Sequence, residues 1–359
     1  MAKARTLVGL DVHAAKVVAA VLDAETGELR FQRLGGETEP VVRLVSSLEG
    51  PVRASYEAGP TGYGLARALA GAGVECVVAA PGKIPRGATE KVRTDRRDAE
   101  HLVRLLLAGK LHPVRVPGPA EEALRDLVRA REDIRSDLMR ARHRLSKLLL
   151  RHEVRFDGRA WTERHRAWLG RVELGEDAAQ ATFVDYLGAV EALLHRKAEL
   201  ERQIQAAIPT SPWAREVGRL RCLRGVDTLT AVGLCAELGD FARFAKAGQL
   251  MSYLGLVPSE HTSGQSRRLG AITRSGSRHA RRLLVEAAWH YRNQPRIGIE
   301  LERRHQGQPA AAVTIAWSAQ RRLHRVWQRM QRRGTRSTVI TVAAARELAG
   351  FCWSITQVE

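Results

Sequence analysis

The stretch TLVGLDVHAAKVVAAVLDAETGELRFQR, residues 6–33, holds three β-rich runs in close succession. Thr6 to Leu10 and Val17 to Leu22 are apolar and rich in β-branched residues, and the turn formers Thr26-Gly27-Glu28 precede a third run, Leu29 to Arg33. Segments so short and so closely spaced predict strands joined by tight turns. Working outward, Val52 to Tyr56 and Val74 to Ala79 read as two further strands. Helical patterns cover Glu39 to Leu48, Thr61 to Ala70 and Arg97 to Ala108. Three hairpin-like strands followed by β-α-β-α predict a mixed sheet with helices on its faces, an α/β domain over residues 1–112. The Pro-rich segment from His112 to Pro119 breaks all periodicity and reads as a linker.

The rest of the chain reads as helix. From Glu121 to Arg151 the residues Leu124, Leu127, Ile134, Leu138, Ala141, Leu145 and Leu148 recur at three- or four-residue spacing, the seam of a long coiled-coil-like helix. A second long helix is predicted from Phe183 to Ile208, so residues 119–208 form a helical arm. Between Leu138 and His152 stand five Lys and Arg and no carboxylate, so one face of the arm either meets phosphate or is simply solvated. Residues 213–359 form a third, mostly helical domain. Within it, Leu223 to Phe244, with Gly239 at a turn, resembles a helix-hairpin-helix segment that offers backbone amides to phosphate. Val313, Ala316, Leu323, Val326, Trp327 and Met330 make another helix amphipathic, with seven Arg and no acid from Gln320 to Arg336.

The 359 residues include 58 Lys and Arg against 39 Asp and Glu, a formal charge of +19, and 44% are hydrophobic. Disorder as the main state is excluded, and the charge predicts a polyanionic partner. Four well-separated cysteines, Cys76, Cys222, Cys235 and Cys352, indicate neither a disulfide framework nor a zinc site. No secretory signal is read at the N-terminus and no run approaches 18 uninterrupted apolar residues, so a soluble cytoplasmic protein without a membrane partner is expected.

Four acids stand where an α/β domain gathers ligands. Asp11 ends the first strand and Glu57 ends the fourth, while Asp95 and Asp98, three apart, open a helix with both side chains toward one side. Four carboxylates brought together repel one another, and oxygen donors of this kind take Mg²⁺ or Mn²⁺ rather than zinc. Such a site suits phosphoryl transfer on nucleic acid. Singly, each acid has a structural alternative: Asp11 capping a turn, Glu57 pairing with an arginine, Asp95 capping its helix. His13 and His101 lie nearby in sequence and read as structural. A second constellation surrounds Ser263, in a Thr-Ser-Gly loop followed by Arg267, Arg268, Arg274, Arg278, Arg281 and Arg282 with no carboxylate before Val285. A hydroxyl in that field could attack a phosphodiester; on local sequence alone the stronger reading is that it bonds a turn while the arginines bind backbone phosphate. Arg140, Arg142, Arg144 and Lys147 on the arm, with Arg325 and Arg329 on the amphipathic helix, complete the candidate nucleic-acid contacts.

The order of these pieces resembles that in the insertion-sequence one-ten family of transposases, with the Piv-type invertases and the bridge-RNA-guided recombinases. The matching segments are Gly9 to His13, Tyr56 to Gly59 with Gly62, Arg93 to Ala99, Leu254 to Pro258, Ser263-Gly264, Ile272 to Gly276, and Ala345 to Trp353. The resemblance implies a RuvC-like, ribonuclease-H-type domain whose acidic tetrad is Asp11, Glu57, Asp95 and Asp98, with Mg²⁺ or Mn²⁺. It also implies a transposase domain whose serine nucleophile maps onto Ser263, with Ser259 and Ser266 close by. Arg93 and Ser277 depart mildly from the family pattern. By the same resemblance the enzyme cuts and rejoins donor and target DNA through a 5′-phosphoserine. The resemblance also implies guidance by a structured non-coding RNA; strand exchange at two DNA partners needs at least two sites, so a dimer or tetramer is expected, in the nucleoid-associated cytoplasm of a prokaryote. Two rivals use the same residues: a hydrolytic junction resolvase in which water attacks, and a non-enzymatic nucleic-acid-binding protein.

Overall fold

The computed structural model describes residues 4–85, 94–263 and 266–358, and divides into two units, Met1–Gly118 and Pro119–Glu359. The first is a five-stranded mixed sheet. Strands β1 (Thr6–Val12), β2 (Lys16–Asp23) and β3 (Leu29–Gly35) form an antiparallel meander; helix α1 (Thr38–Ser46) leads to β4 (Val52–Glu57), and helix α2 (Gly64–Gly71) to β5 (Glu75–Ala79). The spatial order is β3-β2-β1-β4-β5, with β4 parallel to both β1 and β5. Central strand β1 is buried from Thr6 to Leu10, as expected of a strand covered on both faces. One layer packs Val8, Leu10, Val17, Ala54 and Tyr56 against α1 and α2. The other packs Leu7, Val18 and Ala20 against helix α3 (Asp95–Leu107) through Ala99, Val103 and Leu106.

Glycine at position 9 decides how α3 sits. A Cβ there would collide with the Ala99 carbonyl oxygen and the Val103 backbone nitrogen. The helix backbone thus lies directly on β1, and its first turn reaches the carboxyl end of that strand.

The second unit begins with α4 (Pro119–Arg151), followed by α5 (Glu163–Leu169) and α6 (Asp177–Ala207), which packs along α4. Leu138, Ala141, Leu145 and Leu148 of the predicted seam are buried with Phe183 and Val190 of α6. Nearer the start of α4, Leu124 and Val128 share a larger core with Ile204 and the helices that follow. Those helices are α7 (Ala214–Leu220), α8 (Thr228–Leu238) and α9 (Ala247–Tyr253), then, after a hairpin of β6 (Pro258–Ser263) and β7 (Ser266–Ile272), α10 (Arg278–Ala288), α11 (Ile299–His305), α12 (Ala310–Arg332) and α13 (Ser337–Thr356). By length and composition α13 could cross a membrane, yet Ile340, Ala344, Leu348 and Cys352 are buried in the protein, with α9, α10 and α12 packed against the helix. All four cysteines are free thiols.

In the segment expected to form a helix-hairpin-helix, Gly239 ends α8 with φ 67° and short helices stand on either side of α8. The tight turn before α8 is at Gly225, with φ 80°, where a Cβ would strike the Ala287 carbonyl. At the N-terminus of α8 the Asp227 carboxylate accepts from the Thr230 amide at 2.7 Å. A negative cap stands where a phosphate would have to bind.

Candidate functional site

Asp11 and Glu57 reach the same end of the sheet because β1 and β4 run parallel in fixed register, with Leu10 opposite Tyr56 as the last paired residues. Open α/β sheets bind ligands at the carboxyl ends of parallel strands. The first turn of α3 arrives at that edge. Thr94, not Asp95, is its N-cap, accepting from the Arg97 amide at 3.3 Å, so Asp95 and Asp98 stand in the first turn, where the helix dipole favours anions. A cleft of about 680 Å³ results, lined by Asp11, Glu57, Asp95 and Asp98, with His13, Thr94 and His101 on its walls. The structure brings all four predicted acids together.

Two nitrogen-bearing side chains, His13 and Lys16, belong to the same cluster. His13 follows Asp11 by two residues, on the same side of the strand, and its Nε2 lies 3.2 Å from Asp11 Oδ2 and 3.9 Å from Asp95 Oδ1. Ligand atoms of Asp11, His13 and Asp95 all fall within 4.8 Å of one another. Lys16, at the start of β2, forms an ion pair with Asp95. Burial raises the Asp11 pKa, His13 opposes that rise, and the charges of Asp98 and Asp95 add to it. The hydrogen bond from Lys16 holds the Asp95 carboxyl below its ordinary value. A carboxylate pushed up by burial and by like charges beside it fits a divalent cation. The oxygen-dominated donors, with one imidazole, suit Mg²⁺ or Mn²⁺. Sequence reasoning takes His13 as structural and does not single out Lys16; the spacing of two between Asp11 and His13 is the available signal. His101, by contrast, is tied to the Pro85 carbonyl at 2.7 Å.

The second constellation is placed only in part. Ser263 is the last residue of β6 and pairs in register with Ser266; Arg267 follows in β7, opposite Thr262. The expected loop is therefore a hairpin strand end. Gly264 and Arg93 lie outside the described residues. Among the remaining basic candidates, Arg144, Lys147, Arg268, Arg274, Arg278, Arg325 and Arg329 are exposed, and Arg140 is exposed beside its partner Asp137. Three depart from the expectation of a phosphate-facing role. Arg281 donates to the carbonyls of Leu254 and Ser275, Arg282 is bound by Glu132 and Glu286, and Arg142 lies over the Trp161 ring at 4.6 Å. Their bonds are internal, so they hold the fold.

With this geometry in view, the similarities to known proteins define the class. Residues 8–153 match the DEDD-type transposase profile of the IS110 group, and residues 217–298 match the profile described as "Transposase IS116/IS110/IS902 family". The chain is 40% identical to a protein of Sinorhizobium fredii named as a putative transposase, y4qE, over 98% of this chain and 88% of that one. It is 33% identical to the transposase for insertion sequence element IS1533 of Leptospira borgpetersenii, over 92% of this chain and 97% of the other. The protein is thus a transposase, with an N-terminal mixed sheet of the RuvC-like DEDD kind. It belongs to the IS110 family, whose work is DNA transposition, the cleavage and rejoining of DNA strands.

Proposed function

We propose that Asp11, Glu57, Asp95 and Asp98 hold Mg²⁺ or Mn²⁺ and that Ser263 is the nucleophile that cuts DNA. The observation that carries the reading is the single cleft lined by all four acids. When bound, the divalent ion supplies Lewis-acid polarisation of the scissile phosphate. The Ser263 hydroxyl attacks phosphorus, its Oγ–P bond replacing the bond to the 3′ oxygen; the hydroxyl proton passes to that oxygen by way of solvent. The products are a 5′-phosphoserine and a free 3′-hydroxyl. One ester replaces another, so attack by a 3′-hydroxyl on the phosphoserine reverses the chemistry and rejoins the strand. His13 orients Asp11 by its hydrogen bond, and Lys16 balances the charge of Asp95.

Donor and target DNA are the substrates, and Arg140, Arg144, Lys147, Arg268, Arg274 and Arg278 contact their phosphates. Two DNA partners need at least two active sites, which calls for a dimer or tetramer. The charge of +19 supports a further nucleic-acid partner, a structured guide RNA that reads the DNA by base pairing while the protein reads backbone.

A suicide DNA substrate incubated with protein, RNA and Mg²⁺ is expected to trap a covalent adduct that Ser263→Ala abolishes. Free 5′-phosphate ends with no attached protein would identify water as the attacking group. An adduct that survives in the variant would move the nucleophile to Ser259, Ser266 or elsewhere.

A further inference from the structure

We propose that the arginine-lined groove on the outer face of α12 is a docking site for the phosphate backbone of duplex DNA, remote in sequence from the acids and from Ser263. The helix is strongly two-faced. Ala316, Ala319, Leu323, Val326 and Trp327 are buried, and Trp327 packs on Trp289 with ring centres 5.6 Å apart. Roughly 120° around the helix from that stripe, at 3.6 residues per turn, run Arg322, Arg325, Arg329, Arg332 and Arg333. They line a groove of about 590 Å³. Only Arg322 of these has a carboxylate partner among the described residues, Glu347 at 2.7 Å.

A solvated helix face normally mixes the two signs of charge, because unpaired like charges repel. The helix dipole accounts for one or two cations in the last turn, where Arg329 and Arg332 stand. It does not account for a stripe that begins two turns earlier and contains no acid. From Arg322 to Arg333 the stripe runs roughly 16 Å at about 1.5 Å per residue. One strand of B-form DNA spans that distance in about five steps of roughly 3.4 Å. A row of guanidinium forks about 16 Å long therefore offers charge to several phosphates of one strand, with no base contact required. The occupant is taken as DNA because transposition acts on DNA. The proposal rests on that activity alone and on neither the acids nor the serine.

The test is binding of full-length protein to a duplex of arbitrary sequence, by fluorescence anisotropy in EDTA so that no strand is cut, across a series of salt concentrations. For R325Q/R329Q/R332Q/R333Q the slope of log affinity against log salt is expected to shrink by about 3.6, at roughly 0.9 for each phosphate no longer neutralised. R325Q/R329Q alone should give about half that change, so a partial result remains readable if the quadruple variant melts early. A control that removes as many cations elsewhere, R30Q/R33Q/R43Q/K110Q, should change the slope by less than about 1 on the same scale. Unchanged slopes in folded variants would overturn the proposal. So would an equal effect in the control, or a weakening confined to a structured RNA hairpin with duplex DNA binding intact.

Discussion

Asp11 and Glu57 stand side by side at the carboxyl ends of two parallel strands, each one residue beyond the last register pair, Leu10 and Tyr56. They are 46 positions apart in sequence, and hydrogen-bonded strand register brings them level. A shift of one residue in β4 would turn Glu57 to the opposite face of the sheet. The pairing that builds the core therefore also builds the cleft.

Seating of α3 on β1 depends on the missing side chain at position 9. Gly9→Val is expected to cost about 3 kcal/mol or more, since overpacking a filled contact costs about 1–3 kcal/mol and here the obstacle is backbone. Urea denaturation measures that cost. DNA cleavage should fall in parallel, because Asp95 and Asp98 move with the helix. A Gly9→Val protein of normal stability would show that α3 does not press on the strand as described.

Lys16 already pairs with Asp95, so a divalent cation held as proposed would compete with it for that carboxylate. Lys16→Met removes the ion pair with Asp95 and is expected to lower the Mg²⁺ concentration needed for half-maximal thermal stabilisation by several-fold. A higher Mg²⁺ requirement in the variant would instead make Lys16 a support of the bound state.

The aromatic cluster around His165 is expected to lose stability in mild acid. His165 is buried among Phe156, Trp161 and Trp168, its Nδ1 lacks a hydrogen bond, and burial lowers its pKa from the ordinary 6.5. The unfolded chain therefore binds this proton more readily. The associated stability is complete above pH 6.5 and is lost as pH falls below it toward the folded-state value. Global stability of the second unit should fall between about pH 7 and 5, read as the urea midpoint, and His165→Phe should flatten the trend. No difference between the two proteins would remove His165 as the cause.

Glu237 is the ionic anchor of the second unit. Burial works against its charge, but hydrogen bonds from His279, Arg129 and Ser277 reverse that and hold its pKa at about 2. Relative to an ordinary 4.5 this corresponds to about 3 kcal/mol at about 1.4 kcal/mol per unit, present above pH 4.5 and lost as pH drops toward 2. Glu237→Gln should lower the urea midpoint at pH 7 and abolish that part of the acid transition. An unchanged acid limb would assign it to other carboxylates.

Strands β1 and β2 were legible because they are buried and carry dense apolar runs, whereas β3 has no buried residue and was legible from the turn formers before it. The seam of α4 was legible because Leu138, Ala141, Leu145 and Leu148 are buried against α6. Hairpin β6–β7 was not. Glu260, His261, Arg268 and Leu269 are exposed or nearly so along it, so it buries no apolar face and leaves no period-two pattern. The four acids could be picked out by their positions at element ends, whereas the parts of His13 and Lys16 depend on where β2 begins relative to α3. Nor could composition separate the arginines that bind inward, Arg142, Arg281 and Arg282, from those that face solvent. Their partners come from carbonyls, rings and carboxylates far away in the chain.

The account turns on whether the four acids share a divalent cation. Direct titration with Mn²⁺, followed by electron paramagnetic resonance on the folded protein without DNA, measures that. Asp11→Asn, Glu57→Gln, Asp95→Asn and Asp98→Asn should each weaken the tightest binding by about tenfold or more, roughly 1.4 kcal/mol apiece, with the melting temperature of Asp11→Asn held or raised as burial of its charge and repulsion from Asp98 and Asp95 are relieved. Equal Mn²⁺ binding in the wild type and all four variants would contradict it.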